Sequence, residues 1–115
     1  MGYSDDLILA AWEKATLVPN NDSGMWRKDA CGAWIQRSCY NDRASQYGWE
    51  IDLVNPSGPD EIENLLPLLW KNHVGKGDGR LICNVTASGV DNKIVGEPVG
   101  SNESDGETSA NFLGL

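Results

Sequence analysis

The sequence predicts an α+β fold, because the spacing of apolar residues changes from helical to strand-like along the chain. Residues 7–15 place apolar side chains at the three- and four-residue intervals of an amphipathic helix. Trp49, Ile51 and Leu53 alternate with acidic residues, which is the period-2 pattern of a strand with one packed face. A chain of 115 residues is too short to build two independent cores, so these elements belong to one domain.

The N-terminal helix is predicted over residues 5–16. The Ser4 hydroxyl can cap an orphan backbone amide at the start of this helix. Asp5 and Asp6 follow it, where the positive end of the helix dipole favours carboxylates. Pro19 cannot continue the helix, so the helix is expected to end before it.

Several short strands are predicted after the helix. Turn-forming residues predict an exposed loop over 20–24, and residues 25–40 predict two short extended segments with a break between them. The clearest strand covers residues 49–54. The apolar run 65–70 follows a Pro- and Gly-rich turn and is its predicted hairpin partner.

The last part of the chain alternates short elements with turns. Residues 71–76 predict a short helix that glycines terminate, and residues 81–86 predict a strand on which residues 93–95 pair back. Residues 1–96 therefore form the predicted domain. Residues 97–115 are acidic and rich in Gly, Ser and Asn, which predicts a flexible tail because they offer little to bury.

The charge balance is acidic, with a formal net charge of -8. Overall charge therefore disfavours binding to nucleic acid, since affinity for phosphates grows with the number that Lys and Arg neutralise. The distribution is uneven, and the positive residues of the first half give the predicted nucleic-acid-binding residues Arg27, Lys28, Arg37 and Arg43.

The cysteines predict free thiols. Cys31, Cys39 and Cys83 form no CxxC pair, and an odd number of cysteines without a secretion signal is typical of a reducing compartment. The start of the chain has no signal-peptide pattern, and no apolar run is long enough to span a bilayer. These observations predict a cytoplasmic protein that does not bind membranes.

A set of motifs in the middle of the chain carries a family resemblance. The motifs, in chain order, are Gly48-Trp49-Glu50-Ile51-Asp52-Leu53-Val54, Asn64-Leu65, Asn72-His73 and Lys76-Gly77-Asp78. This pattern resembles the HNH family of metal-dependent nucleases. The resemblance implies a small HNH-like ββα core, with the N-terminal helix and extra short antiparallel strands around it. It also implies one divalent metal ion, Mg²⁺ or Mn²⁺, and DNA or a nucleic-acid-processing protein as the partner.

The resemblance assigns roles to four residues by position. Asp52 on the first strand and His73 on the helix would be the metal ligands, and Asn64 would brace the loop and help to orient the catalytic base. The base itself is missing, because Leu53 occupies the position of the family's histidine and cannot accept a proton. His73 is the only histidine, so no other imidazole can replace it.

Three functions follow from these observations. The favoured one is a degenerate HNH-like protein that lacks full endonuclease activity and serves as a nucleic-acid-binding or protein-interaction module. The second is an active metal-dependent endonuclease, in which the metal alone or Glu50 activates water. The third is an unrelated α+β structural or interaction subunit. In each, Trp49 and Trp70 are expected in the core rather than as stacking platforms for bases.

Overall fold

The computed structural model describes residues 2–96, which contain one α-helix and eight short strands. The helix α1 spans Asp5–Trp12. The strands in chain order are β1 (Trp26–Lys28), β2 (Trp34–Gln36), β3 (Trp49–Leu53), β4 (Leu65–Leu69), β5 (His73–Val74), β6 (Leu81–Ile82), β7 (Val85–Ser88) and β8 (Asp91–Ile94). The tail predicted over 97–115 lies outside the described residues.

Each strand pairs antiparallel with its neighbour in the chain. The pairs β1-β2, β3-β4, β5-β6 and β7-β8 make four separate two-stranded sheets. The predicted hairpin between residues 49–54 and 65–70 is confirmed, because Trp49 pairs with Leu69 and Leu53 pairs with Leu65. The two extended segments predicted within 25–40 are likewise confirmed as β1 and β2.

The helix α1 begins as predicted and ends earlier. The Ser4 hydroxyl accepts a hydrogen bond of 3.2 Å from the amide of Leu7. After Trp12, the amide of Ala15 donates back to the Trp12 carbonyl, which tightens the turn. Thr16 then pairs with Lys28, so the residues predicted as the last helical turn lead the chain beside β1.

The core forms where α1 packs against residues of β2, β3, β4 and β7. Its centre is a pair of buried tryptophans, Trp12 and Trp49, whose ring centroids lie 5.4 Å apart. Tyr40 packs on the other side of Trp49 at 4.9 Å. The remaining buried members of this cluster are small or aliphatic: Ala11, Ala15, Ala33, Ile35, Leu69 and Val85.

A buried carboxylate ties the first hairpin to this core. Asp29 is only 2% exposed, and one of its oxygens accepts hydrogen bonds from the amides of Cys31 and Ala33. Its other oxygen accepts from the amide of Leu69 and from the side-chain nitrogen of Asn72. Both oxygens are therefore satisfied, which a buried carboxylate requires.

The predicted HNH-like ββα core is wrong. The two strands of its hairpin are present as β3 and β4, but residues 71–76 are not helical in the described part of the chain; they form a turn and then β5. Gly75, Gly77 and Gly79 weaken a helix here, and Gly79 has a φ of +71°. The fold is a set of small antiparallel strand pairs with one N-terminal helix.

The prediction of three free thiols is also wrong. Cys31 and Cys83 form a disulfide across 52 positions of sequence, and Cys39 alone is free. The disulfide fastens the turn between β1 and β2 to the break between β6 and β7, so the strand predicted over 81–86 is interrupted there. The argument from free thiols for a reducing compartment therefore no longer applies.

The region described contains no helix that is long and apolar enough to cross a membrane.

Candidate functional site

The structure places the predicted metal ligands, Asp52 and His73, beside one cavity. The Asp52 carboxylate also accepts hydrogen bonds that hold the fold together. Asp52 lies on β3, and one of its carboxylate oxygens accepts a hydrogen bond of 2.9 Å from the amide of Val74. Its other oxygen accepts from the amide of Leu53 at 3.0 Å. Asp52 therefore fastens β5 against β3, a role that a solvated carboxylate on a strand would not have.

His73 is exposed on β5, next to that bond. His73 and Asp52 line a shared cavity of about 350 Å³, which also has Glu50 and Arg43 on its wall. Asp52 and His73 also line a second, larger cavity, together with Leu53. The positions that the resemblance singles out are thus neighbours in space, although His73 comes from a strand rather than from a helix.

Asp52 and His73 supply two potential metal ligands. Hard divalent cations need several oxygen or nitrogen ligands around one point. Across residues 2–96, no group of three or more His, Cys, Asp or Glu side chains is placed to hold an ion. Glu50, which lines the same cavity, is paired with Arg43. Binding of Mg²⁺ or Mn²⁺ by Asp52 and His73 stays a prediction.

Asn64 holds the loop between β3 and β4. Its side-chain oxygen accepts from the amide of Asn55 at 2.8 Å, and its side-chain nitrogen donates to the carbonyls of Asn55 and Pro59. All three hydrogen bonds join Asn64 to residues of the same loop. Asn64 thereby fixes the loop beyond Leu53.

The four predicted nucleic-acid-binding residues do not converge on one surface. Arg27 donates to the carbonyls of Ser23 and Glu13 and lies over the Trp12 ring. The Lys28 ammonium lies 4.7 Å from the centroid of the Trp34 ring. Arg27 and Lys28 thus help to cover aromatic rings. Arg37 lines a different cavity, beside α1.

Arg43 also lines a cavity around Trp70, which we call the Trp70 cavity. The guanidinium carbon of Arg43 lies 5.7 Å from the Trp70 ring centroid, and the Lys71 ammonium lies 5.2 Å from it. Lys93 from β8 lines the same cavity of about 360 Å³, together with the polar residues Ser45, Gln46 and Asn92. Among residues 2–96, no carboxylate lines this cavity.

The loop over residues 41–48 positions one wall of the Trp70 cavity. The Trp70 indole nitrogen donates to the carbonyl of Ser45 at 3.1 Å, and the Trp70 amide donates to the carbonyl of Gly48 at 3.0 Å. A Cβ atom at Gly48 would collide with the backbone of Asp42 and crowd the Trp70 ring. Only glycine therefore lets the loop close against Trp70.

Arg43 is oriented by a two-pronged contact with Glu50. Its Nε and Nη2 atoms donate to the two oxygens of that carboxylate at 2.6 Å and 2.9 Å. Such a planar pair fixes the guanidinium better than a single bond does. Its contribution to stability is small, because the Arg43 side chain is 65% exposed. Its consequence is that Arg43 stays beside Trp70.

Sequence reasoning missed the Trp70 cavity. Trp49 is fully buried as expected, whereas Trp70 is only partly buried and is flanked by cations. Lys71 directly follows Trp70, which is the one signal available in the sequence. Lys93 lies far along the chain, and only the packing of β8 brings it to this cavity.

Comparisons of the chain with protein-family models, with curated proteins and with solved structures found no match.

Proposed function

We propose that this protein is a nucleic-acid-binding module that does not cleave phosphodiester bonds, and that the Trp70 cavity is its phosphate-binding site. The observation that carries the proposal is the convergence of Arg43, Lys71 and Lys93 on one cavity beside a tryptophan ring, with no carboxylate among the lining residues in the described part of the chain. Cationic side chains combined with an aromatic face are the usual elements of a nucleic-acid-binding groove.

The acidic composition restricts how such a module binds. With a net charge of -8, the protein repels a polyanion at long range, so attraction is confined to the cavity. Because Glu50 already pairs with Arg43, the site neutralises at most about three phosphates, and the logarithm of affinity should fall against the logarithm of salt concentration with a slope shallower than about -3. Binding should therefore be weak and readily lost in salt.

The absence of cleavage rests on Asp52 and on two side chains near it. Leu53 has no atom that accepts a proton, so the position of the family's general base is chemically inert. Glu50, the alternative base, is held by Arg43. Asp52 is engaged by two backbone amides. From the HNH resemblance the proposal keeps the β3-β4 hairpin and the missing base.

The test is binding of a fluorescent DNA oligonucleotide at low salt, followed by anisotropy. Lys71→Glu should weaken binding at least about tenfold, because it reverses one of the three charges at the site. Arg80→Glu is the matched control: Arg80 is an exposed cation that does not line the Trp70 cavity, and the change in net charge is the same. Equal losses from both substitutions, or no binding by the natural protein at low salt, would overturn the proposal.

A further inference from the structure

A second cavity, lined by three aromatic rings, lies close to the Trp70 cavity. Trp26, Trp34 and Tyr47 line it together with Asn21 and Val90, and its volume is about 280 Å³. We call this cavity the aromatic corner. Its rings are nearly perpendicular: Trp26 stands at 87° to Trp34 and at 89° to Tyr47. The rings thus form a corner with faces in two directions.

The aromatic corner opens to solvent. Trp26 and Tyr47 are only partly buried, whereas the third ring, Trp34, is buried, and Val90 on the rim is 79% exposed. Met25, next to Trp26, is 46% exposed. Large apolar side chains gathered at the surface around a cavity are typical of a binding site rather than of a core.

Shared segments join the aromatic corner to the Trp70 cavity. Gln46 lines the Trp70 cavity, and the next residue, Tyr47, lines the aromatic corner. Asn92 lines the Trp70 cavity as well, and its side chain bonds both to the backbone of Trp34 and to the carbonyl of Gln46. One bridge of hydrogen bonds therefore holds the two cavities at a fixed separation.

We propose, on the basis of the proposed function, that the ligand is a single strand whose phosphates occupy the Trp70 cavity while one or two of its bases stack in the aromatic corner. Bases in a duplex are already stacked on their neighbours and cannot present a face to Trp26 or Tyr47. Stacking on aromatic side chains tolerates any base, so the corner selects for strandedness rather than for sequence.

The Asp91 carboxylate should limit the affinity of the aromatic corner for a single strand. A carboxylate oxygen of Asp91 lies 3.4 Å from the Tyr47 hydroxyl, which also lies 3.3 Å from the carbonyl of Val90. The carboxylate places a negative charge at the rim of the corner, where a phosphate would follow a stacked base. Asp91→Asn should therefore strengthen single-strand binding several-fold, with the largest gain at low salt, where the repulsion is screened least.

The test compares a twelve-nucleotide oligo(dT) with a duplex of the same length, by anisotropy and by quenching of tryptophan fluorescence, for the full-length protein. Tyr47→Leu should weaken oligo(dT) binding about tenfold, because stacking contributes on the order of 1 to 3 kcal/mol per base. Duplex binding should not change. Tyr47→Phe keeps the ring and should bind as the natural protein does, while Tyr3→Leu removes a tyrosine that does not line the corner.

Val90→Glu is a second variant that leaves the core intact, because Val90 is largely exposed. It should also weaken oligo(dT) binding and spare the duplex. If Tyr47→Leu and Val90→Glu leave oligo(dT) affinity unchanged, or lower duplex affinity equally, the inference is wrong. Lys71→Glu separates the two proposals: loss of both ligands with this variant supports the phosphate site even when the stacking variants have no effect. No loss with Lys71→Glu, beside a loss with Tyr47→Leu, would contradict the phosphate site.

Discussion

Asp29 and Asn72 share a buried hydrogen bond of 2.9 Å between the Asn72 side-chain nitrogen and a carboxylate oxygen of Asp29, although 43 positions of sequence separate them. The same Asn72 nitrogen donates to the carbonyl of Val85, and the Asn72 oxygen accepts from the amides of Asn84 and Val85. Two polar side chains therefore join the first hairpin, the end of β4 and the start of β7. Each is nearly inaccessible, which makes the pair costly to break.

Replacing Asp29 by alanine should lower the free energy of unfolding by roughly 3 kcal/mol or more, because it leaves several buried donors without an acceptor. Asp78→Ala is the control, since Asp78 is exposed and its carboxylate accepts from the amide of Arg80 in a surface turn. Urea denaturation of both variants measures the difference. A loss below about 1 kcal/mol for Asp29→Ala would show that water replaces the carboxylate.

Removing the Cys31–Cys83 disulfide should destabilise the protein by about 4 kcal/mol, since the bond closes a loop with a sequence separation of 52. The double variant Cys31→Ser with Cys83→Ser measures this in urea denaturation, and Cys39→Ser is the control because Cys39 is free. A reducing agent should reproduce the loss in the natural protein and leave the double variant unchanged. Equal stability of all forms would show that the disulfide does not constrain the chain.

Plasmid nicking in Mg²⁺ or Mn²⁺ should be at least about a hundredfold slower than for an intact HNH enzyme, because Leu53 stands at the position where the proposed resemblance places the general base. Introducing the base as Leu53→His should restore little, since His73 lies on a strand and Asp52 is engaged by backbone amides. Robust metal-dependent nicking by the natural protein that His73→Ala abolishes would prove the non-catalytic function wrong.

Alkaline pH should destabilise the fold through Tyr47. Burial raises the pKa of Tyr47 above its ordinary value of 10.0, and the nearby charge of Asp91 and the hydrogen bond to it raise the pKa further. A raised folded-state pKa means that the stabilisation is complete below the unfolded-state pKa and is lost as pH rises through the folded-state pKa. Asp91→Asn should lower the Tyr47 pKa and flatten this loss.

Absorbance of the phenolate as a function of pH measures that shift. Tyr3 and Tyr40 serve as internal references, because burial is also the main cause that raises the pKa of each, and Asp91 is not among the causes for either. An unchanged titration curve for Asp91→Asn would contradict the assigned contact.

Replacing Gly48, which lies against Trp70, should weaken DNA binding and lower the stability of the fold. Gly48→Ala forces the loop over residues 41–48 away from Trp70, because the added methyl group meets the backbone of Asp42. We expect weaker DNA binding and a lower melting temperature. Gly77→Ala is the control, because a Cβ atom there meets nothing within 4 Å. Matching effects from the two substitutions would argue against the loop geometry.

The sequence by itself determined the elements whose causes are local. Capping by Ser4 fixed where α1 begins, and the alternation from Trp49 to Leu53 gave both β3 and its partner β4. Asp52 and His73, which the HNH resemblance pairs as metal ligands, line one cavity, and their binding of a metal stays a prediction. Their spacing could not say whether His73 lies on a helix, because a short glycine-containing segment has little preference of its own.

Only the tertiary structure decided the rest, because distant partners outweigh weak local propensity. Asn72 is drawn into the core by Asp29 and by the backbone of Val85, which directs the next residues into β5 instead of a helix. The spacing of the cysteines in the sequence does not predict that Cys31 pairs with Cys83. The Trp70 cavity depends on the same long-range packing, since β8 must fold back before its lysine can reach the cavity.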